Sequence, residues 1–186
     1  PGALSVIAIA GKSNLFNAPE TYMNKISANI KENNVIDLDF SIKDNIYNLC
    51  EYKNKQPKNI TTCILDRPRH KKIIEELIKF DVNLKLISDG DVSGALLVTD
   101  EKYEVDLFLG IGGGPEGVLA ASALDSFDCF FQGKFLFETN EDKNRAEKMG
   151  IKDFDKKYHL NEIISGDSIF CATGITSGDL VSGIEI

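Results

Sequence analysis

The stretch TTCILDRPRHKKIIEELIKF, residues Thr61 to Phe80, indicates the fold class. Its opening TTCIL predicts a strand, RPRH predicts a turn, and KKIIEELIKF predicts a helix with one face of isoleucine and leucine. Two further units of this kind follow, in which LKLIS and VDLFLGI are the strands, DGD and GGGPEG are the turns, and VSGALLV and VLAASALDSF are the helices. Three successive strand–turn–helix units predict right-handed crossovers, a mainly parallel sheet with flanking helices, and therefore an α/β fold.

The segments on either side are consistent with this fold class. Residues 3–10 predict a buried strand because they are rich in isoleucine and valine and carry no charge, whereas residues 11–27 give no clear prediction. A helix is predicted from Ile42, with Ser41 as its cap. Residues 127–137 predict an extended aromatic-rich segment, residues 140–150 an exposed helix ended by Gly150, and residues 167–175 a further strand. The sequence shows no internal domain boundary.

Composition restricts the class of partner. The chain has 21 basic and 29 acidic side chains and a net charge of -8, which argues against a nucleic-acid or anionic-membrane surface. No apolar run approaches the roughly 18 residues of a membrane span. The 4 cysteines are widely spaced and form no metal-binding or redox pair, so structural thiols in a reducing compartment are predicted. Any anion site must therefore be local.

The loops that follow parallel strands emerge at one edge of a sheet, where such folds bind ligands. The three turns are therefore expected to converge. The first turn carries Arg67 and Arg69 on either side of Pro68, with His70 next in sequence. Two guanidinium groups offer forked donors for phosphate or carboxylate oxygens. The alternative is a solvated helix start that happens to carry adjacent basic residues.

The second turn places Asp89 and Asp91 on either side of Gly90. Carboxylates at the end of a strand accept hydrogen bonds from sugar hydroxyls, hold a divalent cation, or cap the following helix. Capping by one aspartate accounts for only half of the pattern. A ligand role is therefore predicted for the pair.

The third turn, GIGGGPEG, holds five glycines, Pro115 and Glu116. Glycine permits positive φ and close approach of the backbone to a ligand, and a proline at the helix start leaves amides for an anion. Glu116 is explained by the helix dipole alone, or by a metal that bridges it to a phosphate. The glycine spacing matches neither a dinucleotide-binding fingerprint nor a P-loop. Arginines, paired acids and this glutamate together indicate a phosphorylated polyol handled with a divalent metal.

At these residues the sequence resembles the class II fructose-1,6-bisphosphatase family, the GlpX type. The matching words are NAPETYMNKI, LDRPRH, ISDGDVSGAL, GIGGGPEGVLAASAL, FQGKF and ATGITSGDL, which are spread over essentially the whole chain. The resemblance implies the metal-dependent sugar-phosphatase fold shared with inositol monophosphatases, in a cytoplasmic homo-oligomer. It also implies hydrolysis of the 1-phosphate of fructose 1,6-bisphosphate in gluconeogenesis, with sedoheptulose bisphosphate as a second substrate in photosynthetic relatives.

Site residues follow from the resemblance by position. It implies substrate contacts for Tyr22, Arg67, Pro68, Arg69, Asp89, Gly90, Asp91 and Gly113. It implies that Glu116 is a ligand of the catalytic divalent cation, Mn²⁺ or Mg²⁺.

The sequence also departs from the family. Members carry an Asp-Pro-x-Glu-Gly-Thr motif with further metal-binding acids upstream of the first strand, and none of the 186 residues matches it. We therefore expect a C-terminal part of such an enzyme, cut at both ends, in which residues 1–40 border the upstream region and residues 41–186 form the α/β domain. The catalytic residues are then expected upstream, with little or no activity in this chain alone. The open alternatives are an inositol-phosphatase-like enzyme, a non-catalytic sugar-phosphate-binding module, and an α/β domain with no ligand site.

Overall fold

Most strands of the protein join one sheet, as shown by a computed structural model that describes residues 2–185. The strands are β1 Leu4–Ala10, β2 Tyr22–Ala28, β3 Thr61–Leu65, β4 Asn83–Ile87, β5 Leu107–Gly113, β6 Phe130–Leu136, β7 Lys157–His159 and β8 Ser168–Gly174. The α-helices are α1 Ile42–Lys53, α2 Lys71–Lys79, α3 Asp91–Leu96, α4 Gly114–Asp125, α5 Asn140–Lys148 and α6 Leu160–Ile163. The 6-stranded sheet has the order β4-β3-β5-β2-β6-β7, and β1 and β8 form a separate pair.

The three strand–turn–helix units are confirmed as β3 with α2, β4 with α3, and β5 with α4. Their strands are parallel, since β3 pairs in parallel with both β4 and β5. The loops after these strands therefore open at the same edge of the sheet, as expected for consecutive α/β units. The α/β fold class is confirmed.

The prediction of a mainly parallel sheet is not confirmed, because the sheet is mixed. Strand β2 lies between β5 and β6 and is antiparallel to both, and β7 is antiparallel to β6. The reason is β2 itself, which falls mostly within a segment that gave no clear prediction. Its sequence YMNKISA carries polar residues at buried positions, so neither an apolar run nor strict alternation reveals it.

Apolar residues cover both faces of the sheet. On one face, the sheet residues Met23, Phe108 and Phe131 pack with residues of α3 and α4. On the other face, Ile26 and Leu109 pack with residues of α1 and α2. Alternation along β2 and β5 sends successive side chains to opposite cores, which gives the layered helix–sheet–helix architecture.

Helix α1 begins, and helix α5 ends, as predicted. Ser41 caps α1 by accepting a hydrogen bond from the Asp44 backbone N–H, and α5 is followed by Gly150, whose φ of +91 requires glycine. No helix within residues 2–185 is long and apolar enough to cross a membrane.

The strand predicted at residues 3–10 exists, but it is only half-buried. Strand β1 pairs antiparallel with β8, and its side chains alternate between partly buried and exposed. Ile7 and Ile9 are on the exposed face, with Ile169 opposite Ile9 in the register. A two-stranded sheet whose other face lies next to α4 leaves this face open, so the expectation of a buried strand is wrong.

Three of the cysteines are buried free thiols, at Cys50, Cys63 and Cys129, whereas Cys171 is exposed on β8. Burial raises the pKa of the Cys63 thiol to about 12 and that of Cys129 to about 11. Both are therefore protonated and unreactive at neutral pH. The prediction of structural thiols holds for the buried three.

Candidate sugar-phosphate site

Arg69 and Tyr22 meet at the sheet edge although they are far apart in sequence. Arg69 lies in the 3-10 turn after β3, and Tyr22 begins β2. The Arg69 guanidinium lies over the Tyr22 ring, 5.1 Å from its centroid, and its Nε donates a hydrogen bond of 2.7 Å to the carbonyl oxygen of Ile111. These contacts orient the guanidinium while the side chain stays exposed, an arrangement that suits an anionic ligand.

His70, next to these arginines, is fully buried and cannot reach a ligand. Its Nδ1 lies 2.7 Å from the carbonyl oxygen of Leu65, and its Nε2 accepts a hydrogen bond of 2.8 Å from the backbone N–H of Ile111. Because an amide only donates, Nε2 is unprotonated and Nδ1 carries the proton. Burial lowers the pKa of His70, which also favours this neutral form. The imidazole joins the end of β3 to β5 and so fixes the arginine turn.

The two aspartates of the second turn have different environments. The Asp89 side chain is 86% exposed and lies 3.6 Å from the Arg67 guanidinium, whereas the Asp91 side chain is only 13% exposed. Neither caps α3 through its side chain, because the cap residue is Gly90 and Asp91 is already the first residue of the helix. Gly90 has a φ of +95, so a larger residue would be strained there. The capping alternative for this turn is therefore wrong.

The third turn is shorter than predicted, because β5 runs to Gly113 and α4 starts at Gly114. None of the glycines between residues 110 and 117 has a positive φ, so the expectation that they supply this conformation is wrong. The Gly114 N–H donates to the Thr21 carbonyl oxygen at 2.8 Å, and Pro115 has no N–H. The first turn of α4 therefore offers fewer amides to an anion than the sequence suggested.

These glycines instead make room for neighbouring side chains. A Cβ atom on Gly112 would lie 2.5 Å from the Asp91 carboxylate. A Cβ on Gly113 would overlap the Glu116 carboxylate, and one on Gly114 would lie 2.7 Å from the Phe135 ring. Real Cβ atoms do not approach other atoms so closely, so glycine allows the carboxylates of Asp91 and Glu116 to fold back over the junction of β5 and α4.

Several of the predicted residues line one depression of about 460 Å³. Its walls include Tyr22, Gly113, Pro115 and Glu116. Asp89 instead lines a neighbouring depression of about 360 Å³, which the segment 177–181 also borders. The structure therefore brings Tyr22, Gly113 and Glu116 into one depression, with Arg69 against the Tyr22 ring at the same sheet edge. It places Asp89 and its partner Arg67 to one side.

Metal binding would fall to the exposed carboxylate of Glu116. This oxygen donor matches what Mn²⁺ and Mg²⁺ prefer, and Mg²⁺ is often held by one or two protein carboxylates together with substrate phosphates. Within residues 2–185, no three His, Cys, Asp or Glu side chains are grouped so that they could hold a metal ion. Glu116 therefore fits as one ligand of a metal, but not as a complete metal site.

Sequence reasoning missed Lys25, which is fully buried at the centre of this region. Its ammonium group forms an ion pair with Asp91 and donates a hydrogen bond of 2.9 Å to the carbonyl oxygen of Gly113. Burial lowers the pKa of Lys25, and the attraction of Asp91 opposes that shift. The only signal in the sequence was a lysine between Met23 and Ile26, which becomes informative once β2 is known to be a central strand, because such a charge is rarely buried without a partner.

Over its whole length the chain matches one family of known proteins. The model of a family described as bacterial fructose-1,6-bisphosphatase, glpX-encoded, matches residues 1–186. Among curated proteins, the chain is 35% identical to one from Trichodesmium erythraeum, over 99% of this chain and 57% of the relative. It is 34% identical to one from Synechocystis and 33% identical to one from Microcystis aeruginosa, with the same coverage. Each relative is named D-fructose 1,6-bisphosphatase class 2/sedoheptulose 1,7-bisphosphatase. The chain thus spans 57% of their length.

Proposed function

The chain belongs to the glpX-encoded bacterial fructose-1,6-bisphosphatase family, and we propose that it forms the substrate-binding part of a metal-dependent sugar-bisphosphate phosphatase. The proposed reaction removes the 1-phosphate of fructose 1,6-bisphosphate, with sedoheptulose 1,7-bisphosphate as a further substrate, in keeping with the names of the relatives. The observation that carries the proposal is the convergence of Tyr22, Arg69, Gly113 and Glu116 at one sheet edge.

The two arginines are the proposed phosphate contacts. Arg69 is already oriented by the Tyr22 ring and the Ile111 carbonyl oxygen, so little side-chain freedom is lost when an anion binds. Arg67 extends from the same turn, and Pro68 between them restricts the backbone. Arg69 would hold a phosphate group, while Arg67, beside Asp89, would contact the part of the substrate that extends towards the aspartates.

The aspartate turn is the proposed sugar contact. The exposed Asp89 carboxylate can accept hydrogen bonds from sugar hydroxyls, and binding there would compete with its long contact to Arg67. Gly90 allows the backbone to turn so that Asp89 faces solvent while Asp91 enters the core. The two acids are therefore proposed to act differently: Asp89 contacts the substrate directly, whereas the buried Asp91 supports the turn that carries Asp89.

Glu116 is the proposed metal ligand, for Mn²⁺ or Mg²⁺. When bound, the metal would supply Lewis-acid neutralisation of phosphoryl charge and activation of the attacking water. A single carboxylate is too small a ligand set for that chemistry, so the remaining acids are proposed to lie in family sequence that this chain does not contain. Little or no phosphatase activity is expected from this chain alone.

A non-catalytic sugar-phosphate-binding module is the second candidate. It is favoured by the same observation that limits the metal site, the lack of a multi-carboxylate cluster within residues 2–185. An inositol-phosphatase-like activity is distinguished by substrate, because the proposed contacts of Arg69 and Asp89 suit any phosphorylated polyol. From the family we also propose that the intact protein is cytoplasmic, acts in gluconeogenesis and forms a homo-oligomer.

Calorimetric titration tests which class of phosphorylated substrate the site binds. Fructose 1,6-bisphosphate, fructose 6-phosphate and myo-inositol 1-phosphate are titrated into the chain with Mn²⁺ present, and phosphate release is measured in parallel. The proposal predicts preferential binding of the bisphosphate with little release. Preference for the inositol phosphate would favour the inositol-phosphatase-like alternative. A lack of binding for all three would contradict the proposed function.

A further inference from the structure

Lys25 occupies an unusual place in the sheet. It lies in the middle of β2, the strand between β5 and β6, and its direct cross-strand neighbours are Gly110 and Gly133. Its side chain is 0% exposed. A central strand position between two cores is normally apolar, and burying an ammonium group is costly unless it is paired and hydrogen-bonded.

The partners of Lys25 all belong to the proposed site. Its ammonium group pairs with Asp91, the first residue of α3, and donates to the carbonyl oxygen of Gly113, the last residue of β5. The negative charge of Glu116 also attracts it. Lys25 therefore lies between Asp91 of the proposed sugar-binding turn and the proposed metal ligand Glu116.

Two glycines leave room for the side chains of Lys25 and Asp91. A Cβ atom on Gly117 would lie 3.3 Å from Cδ of Lys25, and one on Gly112 would lie 2.5 Å from the Asp91 carboxylate. The other Asp91 oxygen, Oδ1, is buried with no hydrogen-bond partner among the described residues. Lys25 thus supplies the charge that holds this carboxylate in place at the sheet edge.

We propose that Lys25 is a positioning residue of the sugar-phosphate site: it fixes the Asp91 carboxylate next to Gly112 and Gly113, and so sets the sugar-binding turn relative to Glu116. Lys25 is wholly buried and does not touch the substrate itself. This inference rests on the proposed function, because it assigns to Lys25 a part in the binding of the same sugar bisphosphate. It predicts that Lys25 acts on the ligand only through Asp91.

A double-mutant cycle tests that prediction. The dissociation constant for fructose 1,6-bisphosphate with Mn²⁺ is measured by calorimetry for wild type, Lys25→Met, Asp91→Asn and the double variant. Methionine keeps most of the lysine stem without the charge. Each single variant is expected to weaken binding by about tenfold or more, as when one member of a buried charge pair is removed. The double variant is expected to bind no more weakly than Asp91→Asn, because the two effects are not independent.

The matched control is Lys134→Met. Lys134 lies on the neighbouring strand β6 and pairs with the exposed carboxylate of Asp155. Its removal is expected to change the dissociation constant by less than about twofold, because the Asp155 carboxylate is left in solvent and not buried without a partner. An equal loss in this control would show a general charge effect and would overturn the assignment to Lys25.

The other outcomes separate the inference from the proposed function. If wild type does not bind the bisphosphate, both fail. If wild type binds and Lys25→Met binds equally well, or if the two losses simply add, only the positioning role fails. Should Lys25→Met not fold, the double variant, which lacks both charges of the pair, is compared with Asp91→Asn. Equal affinities support the role, and a further loss overturns it.

Discussion

Replacing Gly112 with alanine is a direct probe of the junction between β5 and α4. The backbone conformation permits alanine, since φ at this residue is not positive. The new Cβ would lie 2.5 Å from Oδ2 and 2.6 Å from Cγ of Asp91. The carboxylate cannot simply rotate away, because the ion pair with the buried Lys25 holds it. Gly112→Ala is therefore expected to displace the pair.

The size of the effect follows from two opposing contributions. Overpacking a well-filled site costs about 1–3 kcal/mol of unfolding free energy. Replacing glycine by alanine where φ allows it returns about 0.4–1 kcal/mol through the unfolded state. We expect a net loss of about 1–2 kcal/mol, measured by urea unfolding monitored by circular dichroism. Weaker binding of fructose 1,6-bisphosphate should accompany it.

The control is Gly11→Ala, at an exposed position where the new Cβ would lie 3.1 Å from the amide nitrogen of the Asn14 side chain. That amide is the end of a side chain that can move, so a change of less than about 0.5 kcal/mol is expected. If Gly112→Ala has the same unfolding free energy and the same affinity for fructose 1,6-bisphosphate as wild type, the Asp91 carboxylate is not held against this glycine. The packing explanation of the glycine-rich strand end would then be wrong.

Three further predictions concern single side chains. Arg69→Ala should weaken binding of fructose 1,6-bisphosphate by on the order of 2 kcal/mol, or about 30-fold. The unfolding free energy in urea should hardly change, because the guanidinium is exposed. Equal affinities of the variant and wild type in calorimetry would contradict the role of Arg69. Glu116→Gln should lower Mn²⁺ affinity, titrated with the bisphosphate present, by about tenfold or more; an unchanged affinity would exclude Glu116 as a ligand. Burial lowers the pKa of His70 in the folded state, so its stabilising contribution is present above the unfolded pKa of about 6.5 and is lost as pH falls through the folded value. His70→Gln should flatten this part of the urea stability profile between about pH 7.5 and pH 5, and an unaltered profile would refute the prediction.

The sequence predicted well those elements whose pattern is local. Apolar runs, turn residues and helical periodicity within about 20 residues predict each of the units that begin with β3, β4 and β5. Strand β2 does not, because its stability comes from strands on both sides that are distant in sequence. A buried lysine and a serine in that strand are accommodated by partners that only the fold brings near.

The candidate site shows the same limit. The arginines, the aspartates and Glu116 are predicted as site residues from charged groups at strand ends together with the family resemblance, and their roles stay predictions. The different environments of Asp89 and Asp91 could not be predicted, because the burial of Asp91 depends on its ion pair with Lys25 of β2. Likewise, the glycines of the third turn suggested conformational freedom, but the structure shows that close packing of two carboxylates requires them.

The most direct test of the proposed function is a titration of the ¹⁵N-labelled chain with fructose 1,6-bisphosphate and diamagnetic Mg²⁺, followed by amide NMR. Saturable shifts of backbone amides are expected at Tyr22, Arg67 and Arg69, at Asp89 to Asp91, and at Gly112 to Gly114, Glu116 and Gly117. Weaker shifts are expected in the Arg69→Ala variant at the same concentrations. Saturable shifts confined to other surfaces, or no shifts at millimolar ligand, would contradict the proposed function.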